Sequence, residues 1–434
     1  MIKICLYILI LLPVITFGQN TTNTPGAAGL DQIAQDYVRL GLAIGQYDPD
    51  FVDAYYGPDS LKPVTVKQAV FPKDSFLNAS NSLLRKLSAY SGKDTDKDVS
   101  RRANWIAGQL IATRRRIRIF SGEYASFDSE AKELFGIVPP SFTEDHFKSL
   151  VKQLDHLLPG KGTVNERFQS VANRFIIPRN KLDTLYAVAI AESRKRTLKH
   201  YKLPPTEDFR VEYVTNKPWS GYNWYQGNFK SLIQFNTDVS AFIEKAIDVA
   251  CHEGYPGHHV YNTLLEKNLY RDRGQVEISL YPLFSPQSLI AEGSANYGIN
   301  VVFPGAEKIQ FAKNVLLPLA GLDTSGLSTY FKALEIRGKL QYVHTEVARR
   351  LINGKMTDKE AVRWTMEYGL FNESDAVRSL AFKKKYRSYV ITYTFGQDLI
   401  RKYVESKGVA DDREKRWQLF EWLLSNQVTA ADLY

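Results

Sequence analysis

Nine residues, Cys251-His252-Glu253-Gly254-Tyr255-Pro256-Gly257-His258-His259, hold three of the seven histidines in this chain beside a glutamate. Imidazoles bind divalent metals at neutral pH, and a neighbouring carboxylate can move a proton, so the stretch has the makings of a hydrolytic metal site. Upstream, Val239, Phe242, Ile243, Ala246, Ile247 and Ala250 recur at three- and four-residue steps, which predicts an amphipathic helix with one buried face. Glu253 falls next on that face. A carboxylate among apolar side chains is costly unless a cation or hydrogen-bond donors compensate it, and a metal held by the flanking histidines would do so.

In the usual zinc-peptidase signature, H-E-x-x-H, histidines four apart share one helix face and the glutamate between them serves as general base. Here His252 and His258 are six apart, roughly 240° around a regular helix at about 100° per residue, and would point in different directions. Pro256-Gly257 predicts the remedy: proline removes a helix hydrogen bond and glycine permits unusual dihedrals, so the turn should widen or break and fold His258 back beside His252. His259 returns to the face of His252, but about 10 Å further along a regular axis, which ranks it behind His258 as a ligand.

The segment His252-Glu253-Gly254-Tyr255-Pro256-Gly257-His258, with Ala291-Glu292-Gly293-Ser294-Ala295-Asn296-Tyr297 further on, resembles the H-E-x-x-P-G-H and E-G-W-A-x-Y motifs of the bacterial family called domain of unknown function 885. That family looks like a distant branch of the helical glutamate-zincins, which include carboxypeptidase Taq and angiotensin-converting enzyme. Tyr389-Val390-Ile391-Thr392-Tyr393-Thr394-Phe395-Gly396 is similar to its S-Y-x-x-G segment. Two departures bear on the substrate pocket: Ser294 stands where the family usually has tryptophan, and Arg387 where a Pro-Gly usually begins. The resemblance implies one zinc ion ligated by His252, His258 and Glu292, with Glu253 as general base and a late tyrosine, Tyr393, as oxyanion donor. Tyr389 shares a helix face with Tyr393 and is the next residue to consider beside the substrate.

Glu292 sits among Ala291, Gly293, Ser294 and Ala295, whose small side chains would let another helix approach closely, on a helix opened by Ser285 as N-cap and Pro286 as first residue. Alternation of Phe209, Val211 and Tyr213, and an extended stretch from Asn228 to Asn236, predict a small antiparallel sheet directly before the metal helix. In zinc peptidases an edge strand there pairs with the substrate backbone, which makes Phe229, Ser231 and Ile233 candidate substrate contacts. A structural hairpin bracing the helix is the equal alternative. His259 is a candidate for a substrate contact or a supporting hydrogen bond.

The remainder predicts helices over 30–45, 75–90, 100–121, 126–136, 143–157, 163–201, 306–320, 326–353, 357–368, 373–407 and 411–426, separated by Gly, Pro and Ser punctuation. The chain opens with one lysine, a short apolar core and Gly18-Gln19, the pattern of a secretory signal peptide over 1–18, followed by a flexible leader over 19–29. Beyond lie a helical half over 30–203 and a metal-binding half over 204–434. Without residues 1–18 only Cys251 remains of the two cysteines, so no intramolecular disulfide can form, and stability must come from a core that 44% hydrophobic residues in 434 can supply. The formal charge of +9 is mild for this length. The run Arg114-Arg115-Arg116-Ile117-Arg118 reads as a solvated helix face, so no nucleic-acid partner is expected.

These readings converge on a mainly α-helical, zincin-like metallopeptidase. It would be secreted or periplasmic, with no stable membrane insertion after signal cleavage, and would act on short peptides. The alternatives are a catalytically inactive peptide-binding or scaffold protein on a decayed peptidase fold, and a zinc hydrolase acting on another amide.

Overall fold

The structure, a computed structural model, describes residues 25–64, 67–90, 96–217, 219–407 and 412–434; the signal peptide lies outside them. It is mainly helical. The N-terminal part runs through α1 (Pro25–Gly45), α2 (Lys73–Leu87), α3 (Lys97–Phe120), α4 (Phe127–Phe135), α5 (Glu144–Leu157), α6 (Val164–Ala172) and α7 (Leu182–Thr197), and α1 begins at Pro25, ahead of the expected start at Leu30. The helix expected over 163–201 is two helices, because the chain breaks through short 3-10 turns on both sides of Pro178.

Two small sheets punctuate the helices. β1 (Val52–Tyr55) pairs antiparallel with β5 (Leu280–Pro282), which the periodicity of either stretch did not signal. β2 (Asp208–Val214), β3 (Gly221–Gly227) and β4 (Lys230–Asn236) form a sheet in the order β2-β4-β3, with β3 antiparallel and β2 parallel to β4. The expected small sheet is therefore present and contains an antiparallel hairpin. β4, however, is its middle strand. Both of its backbone edges are already paired, so Ser231 and Ile233 do not lie on a free edge that a substrate could extend, and Phe229 lies in the turn before the strand; the outer strand reaching the turn over 250–254 is β3, hidden in sequence by its Gly, Asn and Gln content.

After the sheet come α8 (Ile243–Val249), α9 (His258–Leu265) and α10 (Pro286–Val302), then α11 (Glu307–Phe311), α12 (Leu317–Ala320), α13 (Leu327–Leu340), α14 (Tyr342–Ile352), α15 (Asp358–Glu367), α16 (Glu373–Tyr386), α17 (Ile391–Ser406) and α18 (Arg413–Ser425). Ser285 caps α10 with Pro286 in its first turn, and Thr357 with Glu360 closes a capping box on α15. The helix expected over 373–407 is divided at Arg387, whose φ of 52° ends α16. Its guanidinium is held by both Glu130 oxygens, at 2.8 Å each.

Buried ion pairs fasten α3 to the segments around it. Arg116 of α3 grips Asp48 through Nε at 2.5 Å and Nη2 at 2.9 Å, and stacks 3.9 Å from the Phe284 ring just before α10. Arg102 meets Glu277 at 2.6 and 2.8 Å. The basic run of α3 is thus not a solvated face: Arg115 and Arg116 are buried and Arg116 works as a bidentate clamp.

The contact that positions Glu292 is the crossing of α10 and α17. A Cβ on Gly293 would lie 2.5 Å from the carbonyl carbon and oxygen of Gly396, and one on Gly396 would lie 2.9 Å from the Leu289 oxygen. Only two glycines allow the backbones so close, and this brings the residue after Ala291 against the tyrosines of the opposite helix. Gly293→Ala should cost about 1–3 kcal/mol of stability through overpacking, read as a lower urea midpoint; an unchanged midpoint would mean the two helices are not locked at this crossing.

Candidate metal centre

At the end of α8 the helix widens. Ala250–Gly254 forms a π-helical turn, with the Tyr255 amide donating to the Ala250 oxygen at 3.1 Å and the Gly257 amide to the Cys251 oxygen at 2.9 Å. The Tyr255–Pro256 peptide is cis, and α9 begins at His258. Gly257 is required: a Cβ there would stand 1.9 Å from the His252 carbonyl oxygen and 2.4 Å from that of Cys251. The widened turn expected from Pro-Gly is what the structure has, and it returns His258 to His252 with the two Nε2 atoms 3.1 Å apart and the rings at 88°.

Glu292 completes the group from α10. Its Oε2 lies 3.3 Å from His252 Nε2 and 3.7 Å from His258 Nε2, and the three ligand atoms all lie within 4.8 Å of one another. Zinc-to-nitrogen and zinc-to-oxygen bonds of about 2.0–2.2 Å at tetrahedral angles place ligand atoms about 3.3–3.5 Å apart, which this spacing matches. Glu292 Oε2 is buried and has no hydrogen-bond partner, whereas its Oε1 accepts from the Tyr389 hydroxyl at 3.2 Å. A buried carboxylate oxygen facing two imidazole nitrogens is a donor set that suits a divalent cation. Burial alone would raise Glu292, but His258 and His252 hold it well below the usual carboxylate range.

The adjacent histidine does something else. His259 is fully buried, with Nε2 2.9 Å from Glu207 Oε2 and Nδ1 2.9 Å from Ser231 Oγ. Glu207 also accepts from Tyr255 at 2.6 Å and Arg194 at 2.6 Å. Burial would raise Glu207, but these donors, His259 first, bring it down to about 2, so it is an ionised acceptor. The proton on His259 is thereby assigned to Nε2 and the Ser231 hydroxyl donates to Nδ1. Ser231, His259 and the buried Ile233 are thus occupied inside the protein and do not face a substrate. Phe229 sits at the β3–β4 turn with φ of 60° under the Arg271 guanidinium, 4.8 Å away. The expected substrate contacts at Phe229, Ser231, Ile233 and His259 are corrected accordingly; these side chains pack the sheet and brace the turn.

Glu253 is buried beside the cluster, with its backbone oxygen held by Asn223 Nδ2 at 2.7 Å. Burial raises its carboxyl, against the pull of His252 and His258. Gly221 of β3 faces it so closely that a Cβ there would be 3.0 Å from Glu253 Oε1. Tyr389 and Tyr393 meet edge to face at 5.7 Å. Tyr389 is a support of Glu292 rather than a free substrate contact, while the Tyr393 hydroxyl is pushed well above its ordinary pKa by burial and by the Glu292 and Glu253 carboxylates, and keeps its proton. Asp248 pairs with Lys308. His344 is a buried partner of Lys383 at 3.2 Å, away from the cluster.

Three contributors were not visible in the sequence: Glu207, Tyr222 and Asp53. Tyr222 donates to Asp53, and the charges of His258, Glu292 and Glu253 act on Asp53. Each lies far from the histidines along the chain and carries no motif.

No protein-family model matches this chain, and no curated protein matches it in sequence. The likeness to domain of unknown function 885 therefore rests on the motif residues. Among solved structures, a protein assigned as a lipoprotein from Colwellia psychrerythraea aligns with a TM-score of 0.53 at 16% identity, over 82% of this chain and 65% of that one. This chain thus spans under two thirds of that relative. Metallocarboxypeptidase 1 of Trypanosoma cruzi aligns at 0.48 and 12% identity, and the M32 carboxypeptidase of Deinococcus radiodurans R1 at 0.45 and 11%, each over 94% of both chains. The Colwellia structure shows a shared fold and no activity; the two carboxypeptidases are too distant to add to it.

His258→Ala should abolish stoichiometric zinc binding, measured by metal analysis after dialysis, while His259→Ala should keep zinc and lose thermal stability. The reverse pattern would place the ligand one residue later.

Proposed function

We propose that this chain is an exported zinc-dependent hydrolase of peptide bonds in short peptides. The observation that carries the reading is the unpartnered, buried Glu292 Oε2 facing the His252 and His258 Nε2 atoms. His252, His258 and Glu292 would hold the ion, with Tyr389 orienting the carboxylate. Zinc supplies Lewis acidity, lowering the pKa of water towards about 7 and polarising a carbonyl.

Glu253 is the base. Its raised affinity for protons suits it to take the proton of the attacking water and return it to the departing amine. Asn223 fixes the backbone of this glutamate, and the missing side chain at Gly221 leaves the carboxylate room. Tyr393, protonated and half-buried, donates to the oxyanion that develops on the attacked carbonyl. Because a donor of this kind acts mainly in the transition state, its loss falls on turnover more than on binding. The export reading rests on the apolar N-terminal stretch; among the described residues no helix is long and apolar enough to cross a membrane.

Glu253→Gln should retain fold and zinc but lose turnover of a short-peptide mixture by about 100- to 10,000-fold; full activity in this variant would overturn the assigned base. Tyr393→Phe should lower kcat by about 100-fold with KM nearly unchanged, and an unaltered kcat would reduce Tyr393 to a packing residue.

A further inference from the structure

The turn that presents Tyr389 to Glu292 begins on a strained residue. Arg387 has φ of 52° and ψ of −122°, a region that side-chain-bearing residues rarely occupy and glycine enters freely. It opens the 3-10 turn Arg387–Val390, and two residues on the Tyr389 hydroxyl donates to Glu292 Oε1 at 3.2 Å. Strain of this kind persists only where the surroundings over-determine it, and it gathers at functional sites.

What holds the strained residue is its own side chain. Arg387 Nε and Nη2 each donate at 2.8 Å to Glu130, which is fully buried, and the guanidinium lies 4.4 Å from the Tyr124 ring. A bidentate pair fixes direction as well as charge. Glu130 belongs to α4, and so does Phe135, whose ring meets that of Tyr389 edge to face at 6.2 Å. Phe284 packs against Tyr389 at 5.8 Å, with the Arg116 guanidinium 3.9 Å from the Phe284 ring. One helix therefore grips both the first residue of the turn and the tyrosine two places on. Glycine would enter this backbone conformation without strain but could not make the pair with Glu130.

We propose that Glu130 and Arg387 are positioning residues of the metal centre: their ion pair holds the turn that aims the Tyr389 hydroxyl at Glu292 Oε1, which leaves Oε2 to face His252 and His258. Neither residue touches the ion or a substrate. This role rests on the metal reading above and on neither the identity of the substrate nor hydrolysis.

The test is a double-mutant cycle on the full chain, with zinc affinity read by competition with a chromogenic chelator. Tyr389→Phe should weaken zinc binding about tenfold, because a hydrogen-bond partner of a ligand is typically worth about 10- to 100-fold in metal affinity. Arg387→Gly relieves the backbone and removes the guanidinium, and it should weaken zinc by about the same factor; a turn that needed only its backbone conformation would bind zinc as tightly as before. The double variant should lie within about twofold of either single one, since both changes act on one hydrogen bond. Glu130→Gln, which keeps the shape of the acid, should reproduce the Arg387→Gly pattern and takes its place in the cycle if that variant does not fold. Unchanged affinity in Tyr389→Phe or in the variant of the Glu130–Arg387 pair, or losses that multiply in the double variant, overturns the proposal. An unaltered chain that binds no zinc overturns the metal reading and this role with it, whereas a cycle that behaves as expected in a chain that cleaves no peptide removes only the hydrolytic assignment.

Discussion

The rest of this structure depends on a close approach of backbone to backbone at Gly257, where the chain passes so near the His252 carbonyl that no side chain fits. That approach turns a six-residue separation into a 3.1 Å one between imidazole nitrogens. A π-helical turn departs from regular helix geometry, and such turns occur frequently at functional sites. Its support comes from the neighbouring side chains. Glu207 ties Tyr255 and His259, on either side of Pro256-Gly257, to Arg194 of α7. Glu207 and His259 thus brace the turn on both sides of Pro256-Gly257.

The third residue of the candidate donor set, Glu292, arrives by a second close approach, between Gly293 and Gly396, which sets α17 against α10 and lets Tyr389 reach Glu292. Two glycine contacts on different helices therefore define one donor set. In the N-terminal part β1 is held to β5 beside α10, and the Arg116–Asp48 and Arg102–Glu277 pairs fasten α3 to the segments that lead into these strands. Buried pairs of this kind do more to specify register than to add net stability.

The parts legible in the sequence were those whose signal is local. Histidine spacing with Pro-Gly between implied a widened turn, the small residues around Glu292 implied a tight helix crossing, and Ser285-Pro286 marked where that helix starts. What could not be read was pairing. Residues 228–236 look the same whether they form an edge or a middle strand, and only the partner strands, one of them at 221–227 with a polar, glycine-bounded sequence, decide it. Likewise a serine, a histidine and a glutamate distant in sequence became a buried brace, and Arg115 and Arg116 turned inward because acids and aromatics from other segments met them. Asp53 carried no motif; it sits where the register of β1 against β5 shifts.

The central claim is that His252, His258 and Glu292 form one zinc site. X-ray absorption at the zinc edge on stoichiometrically loaded protein tests it directly. The account predicts only nitrogen and oxygen neighbours near about 2.0–2.1 Å, with outer-shell scattering from two imidazoles. A sulfur neighbour, scattering from one or three imidazoles, or failure to load one ion per chain would contradict it.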